Sequence, residues 1–318
     1  MKNMKNMKVQ VYAVALLSLT LSGCDNDQME NLLADGPVAM TFTADINSVA
    51  TRATTTGFEA GDMVGIIPLK GNVVEKTQTN IAYTYDGSAF TAAPPYYFQN
   101  YDEVTFNAYY PHQSTLNDPY TVKIDTRIDN QTTETVNGHK WRKNDYLFAS
   151  AKTTVKTPSV SFTEAAGNPF RHVMSSVAID FKAGTEDGVA NLKPLTGYTL
   201  DKVVMDGTFN CSTGEVSPKG GTTAEVITVT GISCAESDTE YQTSSLILLP
   251  QDVVGGKFSL TVNFNNTTYT ADLTLSELQA GKLHVFPVTI KNTKLEIGTA
   301  EIKDWETSTE YNGAATLQ

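Results

Sequence analysis

The chain has 318 residues, 40% of them hydrophobic and 18% charged, which is enough to bury the core of one large domain or two ordinary ones. A formal net charge of −12 repels phosphate backbones, so nucleic acid is not an expected partner. Thr, Val, Tyr and Phe are prominent, and β-branched and aromatic side chains fit pleated, half-buried strands better than helices.

Residues 1–23 read as a signal peptide. Lys2, Lys5 and Lys8 precede an apolar run from Val9 to Leu21, shorter than the roughly 20 residues a membrane-spanning helix needs. The run ends in Leu21-Ser22-Gly23-Cys24, which resembles the lipobox of bacterial lipoproteins. Cleavage between Gly23 and Cys24 would leave the Cys24 thiol to carry the lipid, and two or three acyl chains suffice for stable attachment to an outer membrane. Asp25, Asn26, Asp27 and Glu30 follow. They read either as a surface-export signal or as a solvated tether over 24–37.

From Val38 onward the pattern alternates with period two. In Val38–Asp45 the even positions are Val38, Met40, Phe42 and Ala44, and the odd ones are mostly Thr and Asp. Further strands are expected at Val64–Leu69, Ile81–Tyr85, Val104–Tyr110, Tyr120–Ile124, Tyr146–Val155, Val160–Thr163 and Ser176–Lys182. The series continues with Thr199–Phe209, Glu225–Thr230, Ser245–Leu249, Phe258–Phe264, Thr268–Thr274, Leu283–Lys291 and Lys294–Ile302. Asp86-Gly87, Asp187-Gly188, Asp206-Gly207 and Gly255-Gly256 are among the turns between them. One short helical turn is expected at Ser276–Gln279, stopped by Gly281.

So many short strands imply an all-β chain, and two tandem sandwiches accommodate them better than one. The break falls at Glu164–His172, giving domains over 38–165 and 166–305 and a polar tail over 306–318. Cys211 and Cys234 are expected either to pair across the closed loop or to remain as two buried thiols.

Catalytic signatures are missing. His112, His139, His172 and His284 are scattered, without metal-ligand spacing, and read as surface or strand residues; no metal or cofactor is expected. No nucleophile elbow or phosphate loop occurs, and none of the 35 acidic residues stands out as a glycosidase carboxylate. Tyr96, Tyr97, Tyr101, Tyr109 and Tyr110 read as core packing or as a sugar-stacking platform, and Trp141 and Trp305 carry the same ambiguity.

Several segments stand out in order. Thr51-Arg52-Ala53-Thr54 follows the first strand, and Gly61-Asp62-Met63-Val64-Gly65 opens the next with a Gly-Asp pair. Val104–Pro111, Asp145–Ala149 and Phe170–Val177 come in turn, and Leu249-Pro250-Gln251, Gly281-Lys282 and Ile302–Trp305 close the series. Taken together, these segments resemble the Mfa-like fimbrillins of Bacteroidales.

The resemblance implies two transthyretin-like β-sandwiches after a lipoprotein signal peptide, and a fimbrial subunit at the cell surface. It implies that an arginine-specific protease clips the chain, with Arg52 the candidate site. A strand from another fimbrial subunit then fills the groove left by Val38, Met40, Phe42 and Ala44. Losing Val38, Met40 and Phe42 from a core would cost roughly 5–8 kcal/mol, against a domain stability of about 5–15 kcal/mol. The donated strand is expected from Leu283–Lys291 or Lys294–Ile302, although the polar tail leaves room for a subunit that accepts without donating. The alternative is a surface lipoprotein that never polymerises and binds glycan, a host protein or a bacterial surface ligand.

Overall fold

The computed structural model describes residues 36–46, 57–132, 143–220 and 224–305. In chain order the first half contains β1 (Thr41–Ala44), β2 (Met63–Lys70), β3 (Val73–Val74), β4 (Ile81–Tyr85), β5 (Phe90–Thr91), β6 (Val104–Tyr110) and β7 (Thr121–Asp125). A short helix, α1 (Ile128–Thr132), precedes β8 (Leu147–Thr153), β9 (Ser159–Phe162) and β10 (Arg171–His172).

The large sheet of this half has the order β10-β8-β6-β2-β4-β5, with β3 beside β2. A second layer, β1 paired with β9, faces it. Between the layers lies an aromatic core that includes Tyr83, Tyr96, Phe106, Phe162 and Phe170. β8 shows how alternation sets this up: Leu147, Ala149 and Ala151 are buried, while Ser150 and Lys152 reach solvent.

The second half contributes β11 (Ser175–Ala183), β12 (Leu195–Val203), β13 (Asp206–Asn210), β14 (Glu215–Pro218), β15 (Glu225–Thr230), β16 (Glu240–Gln242) and β17 (Leu246–Leu248). It continues with β18 (Gln251–Asp252), β19 (Lys257–Phe264), β20 (Thr267–Thr274), β21 (Glu277–Leu278), β22 (Lys282–Ile290), β23 (Leu295–Ile297) and β24 (Glu301–Asp304). One sheet runs β16-β11-β22-β23, with β17 on β11 and β24 on β22; the facing sheet runs β15-β12-β19-β20. Val177, Ile179 and Phe181 from the first meet Tyr198, Leu200, Leu260 and Val262 from the second. The chain is all-β, built as sandwiches.

A third apolar cluster joins the halves. β7, from the first half of the sequence, pairs antiparallel with β13, and β13 with β14. The outer face of the large sheet supplies Ile67, Tyr109 and Tyr146, which pack against Phe209, Cys211, Ile247 and Leu249. Asn107 fastens this contact by donating to the Ser212 carbonyl at 2.6 Å. Just after β7, Arg127 pairs with Asp206 at 2.9 Å and with Glu225 at 2.5 Å. Gln131 accepts the Ile247 N–H at 2.8 Å. β6 is therefore buried on both faces: Phe106, Ala108 and Tyr110 face one core and Tyr109 the other.

The glycine of the Gly-Asp strand has a steric reason. Gly65 lies opposite Tyr109, and a Cβ there would sit 2.2 Å from the Tyr109 ring. The ring has little room to move, because its hydroxyl donates to Asn80 Oδ1 at 2.5 Å. Gly65→Ala is expected to cost about 1–3 kcal/mol or more through overpacking. Urea unfolding would measure it against Gly57→Ala, which meets nothing within 4 Å.

Three sequence expectations change. Ser276–Gln279 is not helical: Glu277 and Leu278 form β21, antiparallel to β18, with Leu278 buried in the core. So short a segment gains more from a ladder and a buried leucine than from one unsupported helical turn. Thr199–Phe209 is two strands rather than one. The β12 ladder bulges at Lys202, where φ is 71°, resumes at Val203 opposite Glu225, and then ends, so that β13 turns away to pair with β7. Lys294–Ile302 also divides, with β23 and β24 pairing to different stretches of β22 on either side of Gly298.

Candidate functional site at the opening strand

β1 is held along both edges. On one side it runs parallel to β9, with Thr41 beside Ser159 and Ala44 beside Phe162. The ladder extends past both ends: Thr41 N–H donates to the Pro158 carbonyl at 3.1 Å and Asp45 N–H to that of Phe162 at 3.0 Å. Phe170 N–H donates back to the Asp45 carbonyl at 3.0 Å. On the other side Met40 N–H donates to the Tyr96 carbonyl at 2.8 Å, and Phe98 N–H donates to that of Val38 at 3.0 Å.

Alternation sends one set of side chains inward. Met40 and Phe42 are 1% and 5% exposed, Val38 and Ala44 pack half-buried beside them, and Thr41 and Thr43 are exposed. Phe42 stacks on Phe90 at 4.6 Å between ring centroids and meets Tyr83 and Phe162 edge-on at 5.2 and 5.4 Å. The buried Tyr83 hydroxyl donates to the Met40 carbonyl at 3.2 Å and accepts the Tyr96 N–H at 3.0 Å. Burial pushes that phenol's pKa above its ordinary value, so it keeps its proton. Taking β1 away would leave two rows of unpaired backbone groups around a slot walled by aromatic rings. Unpaired edges of this kind are templates for another strand.

Other residues singled out in the sequence fall elsewhere. Tyr96, Tyr109 and Tyr110 are buried, and Tyr97 and Tyr101 half-buried, so they form no exposed aromatic platform. Cys211 and Cys234 are free buried thiols in separate apolar clusters; the disulfide considered between them is not formed. Burial pushes both up, Cys211 to about 12 and Cys234 to about 11, which disfavours the thiolate. Among the described residues no group of His, Cys, Asp and Glu is arranged to hold a metal ion. Gly23, Cys24, Arg52, His139, Trp141 and residues 306–318 lie outside the described residues.

Four residues from separate motifs meet where the halves join. His172 Nδ1 donates to Asp145 Oδ1 at 2.6 Å, with both side chains buried. The Trp305 ring lies parallel over the imidazole, centroids 4.3 Å apart and planes 13° from each other. Trp305 N–H donates to the Gly281 carbonyl at 3.0 Å, and Gly281 N–H to that of Met174 at 2.8 Å. A Cβ on Gly281 would come within 3.0 Å of the His172 carbonyl, at a φ of 68° that favours glycine. Sequence reading missed this convergence. Each residue is marked only by its own motif, and no local pattern joins them.

The family pattern described as fimbrillin-like matches residues 51–305. The chain belongs to that family. It is 28% identical over 94% of its length to a Bacteroides uniformis protein provisionally named a fimbrium subunit, of which it covers 96%. A shorter stretch, 36% of the chain, is 31% identical to 23% of a Bacteroides ovatus protein provisionally named a fimbrium tip subunit. A Bacteroides ovatus crystal structure, provisionally described as a cell adhesion protein, matches with a TM-score of 0.68 at 27% identity. That match covers 84% of this fimbrillin and 97% of the other chain. A second crystal structure, from Bacteroides uniformis, shares the fold with a TM-score of 0.63 at 23% identity, covering 85% and 98% of the two chains.

Within this fimbrillin the two segments considered as donor strands differ. Leu283–Lys291 falls largely on β22, the middle of its sheet, parallel to β11 and largely buried. Lys294–Ile302 falls on β23 and the start of β24, which lie outside β22; β24 is exposed throughout. Withdrawing β22 would open the sandwich core, whereas β23 and β24 cover much less.

Proposed function

We propose that this fimbrillin is a subunit of a cell-surface fimbria that assembles when proteolysis after Arg52 frees β1 and another subunit's strand takes its place. In this reading Cys24 carries the lipid that holds the precursor at the outer membrane. The observation that carries the proposal is the seating of β1: bonded on both edges, buried through Met40 and Phe42, and joined to neither partner by a hairpin. Arg52 lies in sequence between Ile46 and Gly57, so one scission there separates β1 from everything that follows.

Energetics favour replacement over vacancy. Removing the buried side chains of β1 costs several kcal/mol, a large share of the about 5–15 kcal/mol that holds an ordinary domain together. A strand supplied in trans restores the ladders and the apolar contacts together. Membership of the fimbrillin-like family and the provisional names of its relatives are consistent with a role in a surface appendage.

N-terminal sequencing of subunits recovered from surface filaments tests the reading. The expected first residue is Ala53, and Arg52→Ala is expected to leave the longer form and to reduce filaments severalfold or more. Filaments built from subunits that still begin at Cys24 would overturn the cleavage step.

A further inference from the structure

We infer that the groove beneath β1 selects its occupant by an aromatic side chain two residues after the carbonyl bound by Tyr83, so that the strand is not a second copy's Lys294–Gln318 segment. The inference deepens the strand-exchange reading and rests on it.

Two features divide the task of fixing register. Along a strand, carbonyls pointing to one side recur every two residues. Tyr83, 1% exposed, has its hydroxyl committed to one such carbonyl and to the Tyr96 N–H. A strand displaced by one residue turns that carbonyl away and sends its apolar face outward. Displacement by two brings another carbonyl to Tyr83, so the hydroxyl cannot reject it. The ring can. Phe42 fills a site bounded by Phe90, Tyr83 and Phe162, and a two-residue slip carries it off that site.

Direction is fixed as well. The parallel ladder to β9 and the antiparallel bridge between Ala39 and Tyr97 both require the occupant to run as β1 does. The required pattern is therefore apolar, any, apolar, any, aromatic, which Val38, Met40 and Phe42 satisfy. Within 294–318 the nearest alternation is Leu295, Ile297, Thr299; Trp305 is preceded at two-residue spacing by Lys303 and Glu301, and Tyr311 by Thr309 and Thr307. None supplies an aromatic residue after two apolar ones. The occupant is a β-strand that does, from a segment other than this one.

The test uses the full chain with one engineered protease site between Ser48 and Thr56, nicked under native conditions. It is then challenged, in urea just below the unfolding transition, with fluorescein-labelled peptides. These span Val38–Ile46, the same sequence with Phe42→Leu, and Lys294–Trp305, and fluorescence anisotropy reads binding. The expected result is entry of the Val38–Ile46 peptide, binding about tenfold or more weaker for the leucine peptide, and no competition from Lys294–Trp305. Tyr83→Phe is expected to weaken the Val38–Ile46 peptide roughly tenfold while leaving the phenylalanine-to-leucine ratio unchanged. Equal binding of all three peptides would overturn the selectivity and leave strand exchange standing. Failure of even the Val38–Ile46 peptide to enter would overturn strand exchange and the selectivity with it.

Discussion

Phe42→Ala is expected to lower the stability of the intact protein by about 3–5 kcal/mol, the range for truncating a buried phenylalanine. Phe42 is 5% exposed and touches three aromatic rings, so the void left behind is walled by planar side chains that cannot easily collapse into it. Thr41→Ala and Thr43→Ala, on the exposed face of the same strand, are expected to stay within about 0.5 kcal/mol. Chemical denaturation of the three variants reads the difference. Should Phe42→Ala behave like the threonine variants, β1 would not be part of the core, and the case for a groove would go with it.

The second large effect is expected at the junction of the halves. Asp145→Ala removes the acceptor for His172 Nδ1, and His172 Nε2 has no hydrogen-bond partner among the described residues. Leaving a buried imidazole without an acceptor is expected to cost about 3 kcal/mol. Because Trp305 lies flat on that ring, its emission should shift to longer wavelength as the imidazole loosens. A Trp141→Phe background isolates the signal, since the chain has two tryptophans. Asp145→Ala and His172→Ala are expected to be strongly non-additive in a double-mutant cycle. Additive losses would mean the two side chains act independently.

Much of the strand inventory is legible in the sequence because most strands bury one face. Ile81–Tyr85, Val104–Tyr110 and Glu225–Thr230 begin and end where alternation and turn residues place them. Met40 and Phe42 likewise announce an inward face. Pairing is harder to read, since a ladder leaves no local mark on the residues it joins. Nothing in Thr121–Asp125 points to Asp206–Asn210, and nothing in Arg127 to Glu225. The adjacent Tyr109 and Tyr110 look alike in sequence, yet one faces the cluster joining the halves and the other the aromatic core. The motif segments carried the family, while the contact among Asp145, His172, Gly281 and Trp305 needed three dimensions.

The pairing of Thr41 with Ser159 also orders events in time. The residues that leave the ribosome first among the strands must wait until more than a hundred others have followed before their neighbour exists. Closing so long a loop is slow compared with forming the local hairpins in between. β1 thus seats late within its own sandwich, and its arrival adds Met40 and Phe42 to aromatic residues gathered by more local pairings. A strand that docks late and shares no tight turn with its neighbours is also the one that can leave with the least disturbance to what remains.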